Sequence, residues 1–160
     1  MGDGNGWIYC RCGGRHWGVY GAAGILVTDG SHVLLQHRAA WTHQGGSWAL
    51  PGGARDSHET PLQAALREAA EETSLDGSAL TPFDEWVDDH GPWRYTTVLA
   101  HSADRPEVRP VNAESDAVRW WPIDGVPGLR LHTGFAAAWP NLRERIARAS
   151  LPDRPETPLP

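Results

Sequence analysis

Hydrophobic positions along the chain fall into strand-like and helix-like patterns that alternate. Val19–Thr28 is an apolar run closed by Asp29-Gly30, and His32–His37 follows it, so the pair predicts a hairpin. Trp48–Leu50 predicts a short strand. Phe83–Asp89 and Trp93–Ala100 alternate loosely on either side of His90-Gly91-Pro92 and predict a second hairpin, and Ala117–Trp121 predicts a strand that stops at Pro122. Helical signals come twice. Thr60-Pro61-Leu62-Gln63 is a helix start, with Thr60 as N-cap, Pro61 in the first helical position and Gln63 completing a capping box. Leu62, Leu66, Ala69 and Thr73 then recur at spacings of four, three and four, so they share one face. A last helix is expected from Gly134 to Ala149, opened by His132 or Thr133 and with Pro140 as a candidate kink.

Loops separate these elements at 39–47 and 103–112, and Leu151–Pro160, with four prolines in ten residues, predicts a disordered tail. The order of strands, helix, strands, helix implies an α/β fold with a mixed sheet between helices. The 160 residues suffice for one domain with a full core, placed at 19–150 and preceded by a Gly-rich arm at 1–18.

Composition narrows the function. With 14 basic and 20 acidic residues the net charge is −6, and no basic block is present, which argues against a duplex nucleic-acid partner. All 14 basic residues are arginines, so lysine Schiff-base chemistry is excluded and any phosphate contact rests on a few placed guanidinium groups. No apolar stretch is long enough to cross a membrane, and the first residues lack the basic and apolar regions of a signal peptide, so a cytoplasmic location is expected. Nine tryptophans exceed what a core of this size needs, leaving some free to stack on a nucleobase.

One feature is not explained by folding. Glu68, Glu71 and Glu72 stand at i, i+3 and i+4 on the first helix without a lysine partner, a self-repelling arrangement. By phase they lie about 130° from the Leu62–Thr73 stripe, at roughly 100° per residue. A hard divalent cation wants such a set of oxygens. The turn Leu50-Pro51-Gly52-Gly53 leads toward the same place and offers backbone carbonyls.

Gly53, Glu59, Arg67-Glu68, Glu71-Glu72 and Leu75 have the spacing G-x5-E-x7-R-E-U-x-E-E-x-G-U, where U is aliphatic; this resembles the Nudix box. The departure is Ser74 in place of glycine, which bears on how the helix ends: a left-handed Ser there costs about 1 kcal/mol, and Gly77 is an alternative exit. The resemblance implies a Nudix-type α/β/α sandwich and hydrolysis of a phosphoanhydride in a nucleoside diphosphate-linked substrate, with Mg2+ (or Mn2+) as cofactor. It implies Glu68, Glu71, Glu72 and the Gly53 carbonyl as metal ligands, and Arg67 with Glu59 as a brace between loop and helix. The general base is either Glu71 or a later carboxylate, for which Glu114 and Asp116 are candidates.

Substrate identity lies outside the box. Arg38 is a candidate phosphate contact. Trp139 and Asn141 are candidates to stack on a base and read its edge, against the alternative of a helix with a core tryptophan. The readings are a nucleoside triphosphate pyrophosphohydrolase, with oxidised nucleotides among its candidate substrates, a hydrolase of ADP-ribose or a nucleotide sugar (Pro92 lies two positions late for that branch), or a nucleotide sensor without turnover. The partner is a small nucleotide; the chain is a monomer or homodimer. Finally, Cys10, Cys12 and His16 are a partial zinc set, but the fourth ligand is missing and the Cys-x-Cys spacing is tight, so a packed N-terminal hairpin or arm is expected instead.

Overall fold

The computed structural model describes residues 2–150; the expected tail at 151–160 lies outside the described residues. Nine strands form: β1 (Trp7–Tyr9), β2 (Arg15–Trp17), β3 (Ala22–Thr28), β4 (His32–Arg38), β5 (Trp48–Ala49), β6 (Gly52–Ala54), β7 (Leu80–Asp89), β8 (Arg94–Ser102) and β9 (Ser115–Pro122). The helices are α1 (Pro61–Glu72) and α2 (Thr133–Ala149). β1 and β2 pair with each other alone, and β3–β9 form one mixed sheet.

β3 is buried at every residue, as an apolar run in the middle of a sheet should be. Its alternate side chains feed two cores. Ala23, Ile25 and Val27 join Leu34, Val98 and Ala100 beneath α1. Leu26 joins Val33, Leu35 and Leu99 against Phe135, Trp139, Leu142 and Ile146 of α2. The sheet therefore lies between two helices, as an α/β/α sandwich.

The β3–β4 hairpin forms only at its turn. Thr28 pairs with Val33, and Asp29 accepts from the backbone N–H groups of Ser31 and His32, but the strands then part. β3 runs parallel to β8 from Ala22 to Thr28 and antiparallel to β6, while β4 pairs with β9 and β5. The parting opens the sheet at the end where β6 leads into α1. The β7–β8 hairpin pairs through its length, with a bulge between Pro82 and Asp84.

Helix α1 starts as its sequence requires. The Thr60 side chain accepts from Gln63 N–H, and Gln63 returns the bond to Thr60 N–H. Its burial departs from expectation. Ala64, Ala65, Ala69 and Glu72 are buried, whereas Leu62 and Leu66 are only partly so. At about 100° per residue the buried arc centres near Ala65 and Glu72, not on the leucine stripe. The small alanines let α1 sit close on β3, which turns Glu72 inward. The exit also differs: Thr73, not Ser74, caps the helix in extended conformation, with its hydroxyl donating to Ala69 carbonyl. Ser74 is not left-handed, and its Oγ accepts from Arg109 N–H. The expected strain at Ser74 is absent.

Candidate active site

The site gathers where β6 turns into α1. A Cβ on Gly53 would lie 2.4 Å from Glu68 Oε1, so only glycine leaves room for that carboxylate. Glu59 and Arg67 lock the intervening loop. Arg67 Nε donates to Glu59 Oε1 at 2.6 Å and Nη2 to Oε2 at 3.0 Å, a two-pronged pair, and Nη2 also reaches Ala54 carbonyl at 2.9 Å. Glu59 is buried, and the Arg67 hydrogen bond holds its carboxyl below the usual range. Glu59 also accepts from Asp56 N–H, closing the loop on itself.

The three helix carboxylates occupy different environments. Glu72 is buried at 4% exposure and accepts from Gly52 N–H at 2.8 Å. Burial, helped by the negative charge of Glu68, pushes its carboxyl up to about 8. Burial raises Glu68 as well, although Arg67 Nη1 donates to it at 3.0 Å. Glu71 is exposed and meets Arg67 at 3.4 Å. The carboxylates lean on Arg67 and on Gly52 in place of converging. A buried carboxyl with one N–H partner ionises at neutral pH only beside compensating positive charge. This donor set, all oxygen and partly buried, fits a hard divalent cation, with Glu68, Glu71, Glu72 and the Gly53 carbonyl as the residues able to hold it.

Near this acid cluster stand Arg38 from β4 and Glu114 from the loop before β9. Arg38, at the end of β4, faces Glu72, and its charge opposes the upward shift of that carboxyl. Its Nε donates to His43 carbonyl at 2.9 Å, and among the described residues it forms no ion pair. Glu114 is exposed, and its charge contributes to raising both Glu68 and Glu72. Asp116 is committed elsewhere, 2.5 Å from His37 Nδ1. Of the two later carboxylates, Glu114 is the one near the cluster.

Two substrate candidates separate. Trp139 is buried in the α2 core, edge-on to Phe135 with centroids 5.7 Å apart, and its indole N–H finds no acceptor among the described residues. Asn141 is exposed. Residues two apart on a helix do not share a face, so Trp139 and Asn141 do not form one base site, and Trp139 is a core residue. Pro140 lies within α2 without ending it.

Sequence reasoning missed Tyr95 and Gln44, and named His132 only as a candidate opening of the last helix. The Tyr95 hydroxyl would lie 2.1 Å from a Cβ on Gly24 and 2.7 Å from one on Gly52, so two glycines make its berth. Burial, then the charges of Glu72 and Glu68, pushes the phenol up, and it stays protonated beside the acids. Gln44 has left-handed backbone (φ 52°) and is the non-glycine residue with positive φ among those described. Its amide clasps Thr133, accepting from Thr133 N–H at 2.8 Å and donating to its hydroxyl at 2.9 Å. The loop 39–47 is thereby fastened to the start of α2. His132 caps α2 through Nδ1, accepting from Gly134 N–H, and burial, then Arg38 and His43, pushes it down to about 4. The N-cap position marked His132; nothing local marks Gln44 or Tyr95.

A NUDIX domain model matches residues 20–142 of the chain. The chain is 48% identical to a Mycobacterium tuberculosis protein named "Putative 8-oxo-dGTP diphosphatase 3", across 94% of this chain and 74% of that protein. It is 41% identical to a Bifidobacterium longum nucleoside triphosphate pyrophosphatase/Nudix hydrolase fusion protein, across 89% of this chain and 32% of the fusion. The crystal structure of a Nudix hydrolase from M. smegmatis, RenU, superimposes with a TM-score of 0.84 at 48% identity, covering 94% of this chain and all of that one (100%).

Proposed function

The chain belongs to the Nudix family of hydrolases, and we propose that it is a nucleoside triphosphate pyrophosphohydrolase acting on oxidised purine nucleotides in the cytoplasm with Mg2+ as cofactor. The observation that carries this reading is the buried Glu72 beside a Glu68 that Gly53 leaves room for, across from Arg38. The relatives named for diphosphatase and triphosphate pyrophosphatase activities support the substrate class.

A divalent cation at Glu68, Glu71, Glu72 and the Gly53 carbonyl supplies charge neutralisation at phosphate and makes water more acidic. The protein's own residues do the rest. Arg38, with terminal nitrogens free of ion pairs among the described residues, takes a phosphate oxygen pair. Arg67 and Glu59 hold the Gly53–Glu59 loop against α1, fixing the distance between carbonyl and carboxylates. Glu114 or the exposed Glu71 accepts the proton of the attacking water. Tyr95, kept protonated, offers a donor beside Glu72. The loop Trp41–Ser47, with Trp41 exposed, stands next to Arg38 and is the place where base selection is expected.

A panel of ordinary and oxidised nucleoside triphosphates, ADP-ribose and nucleotide sugars with Mg2+ tests this. Pyrophosphate and nucleoside monophosphate, formed fastest from an oxidised purine triphosphate, are the expected products. AMP and ribose phosphate from ADP-ribose would overturn the substrate class. Tight nucleotide binding without turnover would overturn the enzymatic reading.

A further inference from the structure

The fold supplies a ligand that the sequence alone did not. The β1–β2 hairpin carries Cys10, Cys12 and His16, and it docks on the turn of the β7–β8 hairpin, which carries His90. One ligating atom from each of these four residues lies within 4.8 Å of all the others. We propose that Cys10, Cys12, His16 and His90 form a structural zinc site that fastens the N-terminal hairpin to the hydrolase fold.

Three features of the cluster suit a metal. First, the distances approach the right polyhedron. A tetrahedral zinc with bonds of about 2.3 Å to sulfur and about 2.0–2.1 Å to nitrogen has edges of roughly 3.3–3.8 Å, and Cys12 Sγ already stands 3.3 Å from His16 Nε2. Second, the tight Cys-x-Cys spacing is accommodated. Cys10 N–H donates to Gly14 carbonyl, Gly13 takes φ +89° with open space around it, and Cys12 N–H points at Cys10 Sγ at 3.4 Å. A disulfide between these cysteines would be strained, and both are free. Third, both histidines are held in place. His90 Nε2 lies 3.0 Å from Asp88 Oδ2, which leaves Nδ1 for a metal, the carboxylate–histidine arrangement found behind metal ligands. His16 stacks on Trp93 at 4.2 Å and 11°, and Trp93 Nε1 donates to Trp17 carbonyl, tying the same two hairpins together.

Two sulfurs and two imidazoles select zinc over the hard cation that the glutamates suit. On binding, two S–metal and two N–metal bonds form, the thiols release their protons to solvent, and the Cys10 contact to His90 carbonyl is given up. The site is distinct from the glutamate cluster and shares no residue with it.

Titrating metal-free protein with Co2+ under reducing conditions tests the site on the unaltered chain. A thiolate-to-cobalt charge-transfer band with the intense visible bands of tetrahedral cobalt, saturating at about one equivalent, is expected. Added zinc should bleach both. The absence of the charge-transfer band overturns the proposal. Cys12→Ser and His90→Ala should each reduce zinc carried through purification at least about tenfold, the scale of losing a ligand, while Glu72→Gln leaves it unchanged. Zinc retained in full by the Cys10→Ser/Cys12→Ser double variant also overturns it.

Discussion

Helix α1 and the β1–β2 hairpin each present a cation-binding set, and they are built in opposite ways. On α1, three oxygens arrive from one stretch of helix, and the chain must supply a loop, a glycine and the Arg67–Glu59 brace to make them usable. At the hairpin, three ligands arrive from one short turn, and the fourth comes from His90, far along the chain. The first set is hard, partly buried and open toward Arg38, which suits a cation that shares its coordination with substrate. The second is soft and saturated by four protein ligands, which suits a cation that only holds structure. As proposed, the two sites differ in donor type and in how many positions the protein would fill.

Breaking one site should spare the other. The largest expected effect is on turnover: Glu72→Gln should reduce it at least about a hundredfold, the scale of losing a metal ligand, with zinc content unaltered by elemental analysis. Gly53→Ala comes next. Its Cβ would meet Glu68 at 2.4 Å, so the carboxylate must move, and turnover should fall about tenfold or more, as displaced metal ligands do. Calorimetry should show the variant still folded.

A smaller effect concerns pH. His132 is pushed down to about 4, below its ordinary 6.5, so the folded state keeps it neutral while the unfolded chain protonates. Stability contributed by neutral His132 is therefore full above about pH 6.5 and is lost as pH falls toward 4. His132→Asn keeps a helix-capping acceptor and removes the titration. Its melting temperature should vary less than that of the parent across this window; an identical slope would count against the assignment. The smallest effect is at Trp139. Trp139→Phe keeps the ring in the core and removes an indole N–H without a partner, so stability should change by no more than about 1.5 kcal/mol and KM should hold. A large rise in KM would return Trp139 to the substrate site.

What the sequence revealed and what it hid follow from range. Thr60, Pro61 and Gln63 act within one turn, and all three were legible as a helix start. The glutamate spacing was legible for the same reason. The burial of Glu72 was not, because leucines outrank alanines in any pattern of hydrophobicity, whereas close packing on β3 favours the alanines. The β3–β4 turn was readable, but the parting of its strands depends on β8 and β9, which come much later in the chain. Trp139 and Asn141 stand two apart and fall on different sides of a helix, which helix phase alone separates. His90 looked like a turn residue until the hairpins met. Long-range pairing decided the parting of β3 from β4 and the place of His90, and no local signal carries it.

Cleavage of the anhydride at the glutamate cluster is the proposed reaction. Its most direct measurement is product analysis of an oxidised purine nucleoside triphosphate incubated with Mg2+ and either the parent chain or Glu72→Gln. The account predicts equal amounts of pyrophosphate and nucleoside monophosphate from the parent, and a loss of at least about a hundredfold in the variant. Equal yields from both proteins, or release of orthophosphate in place of pyrophosphate, would contradict it.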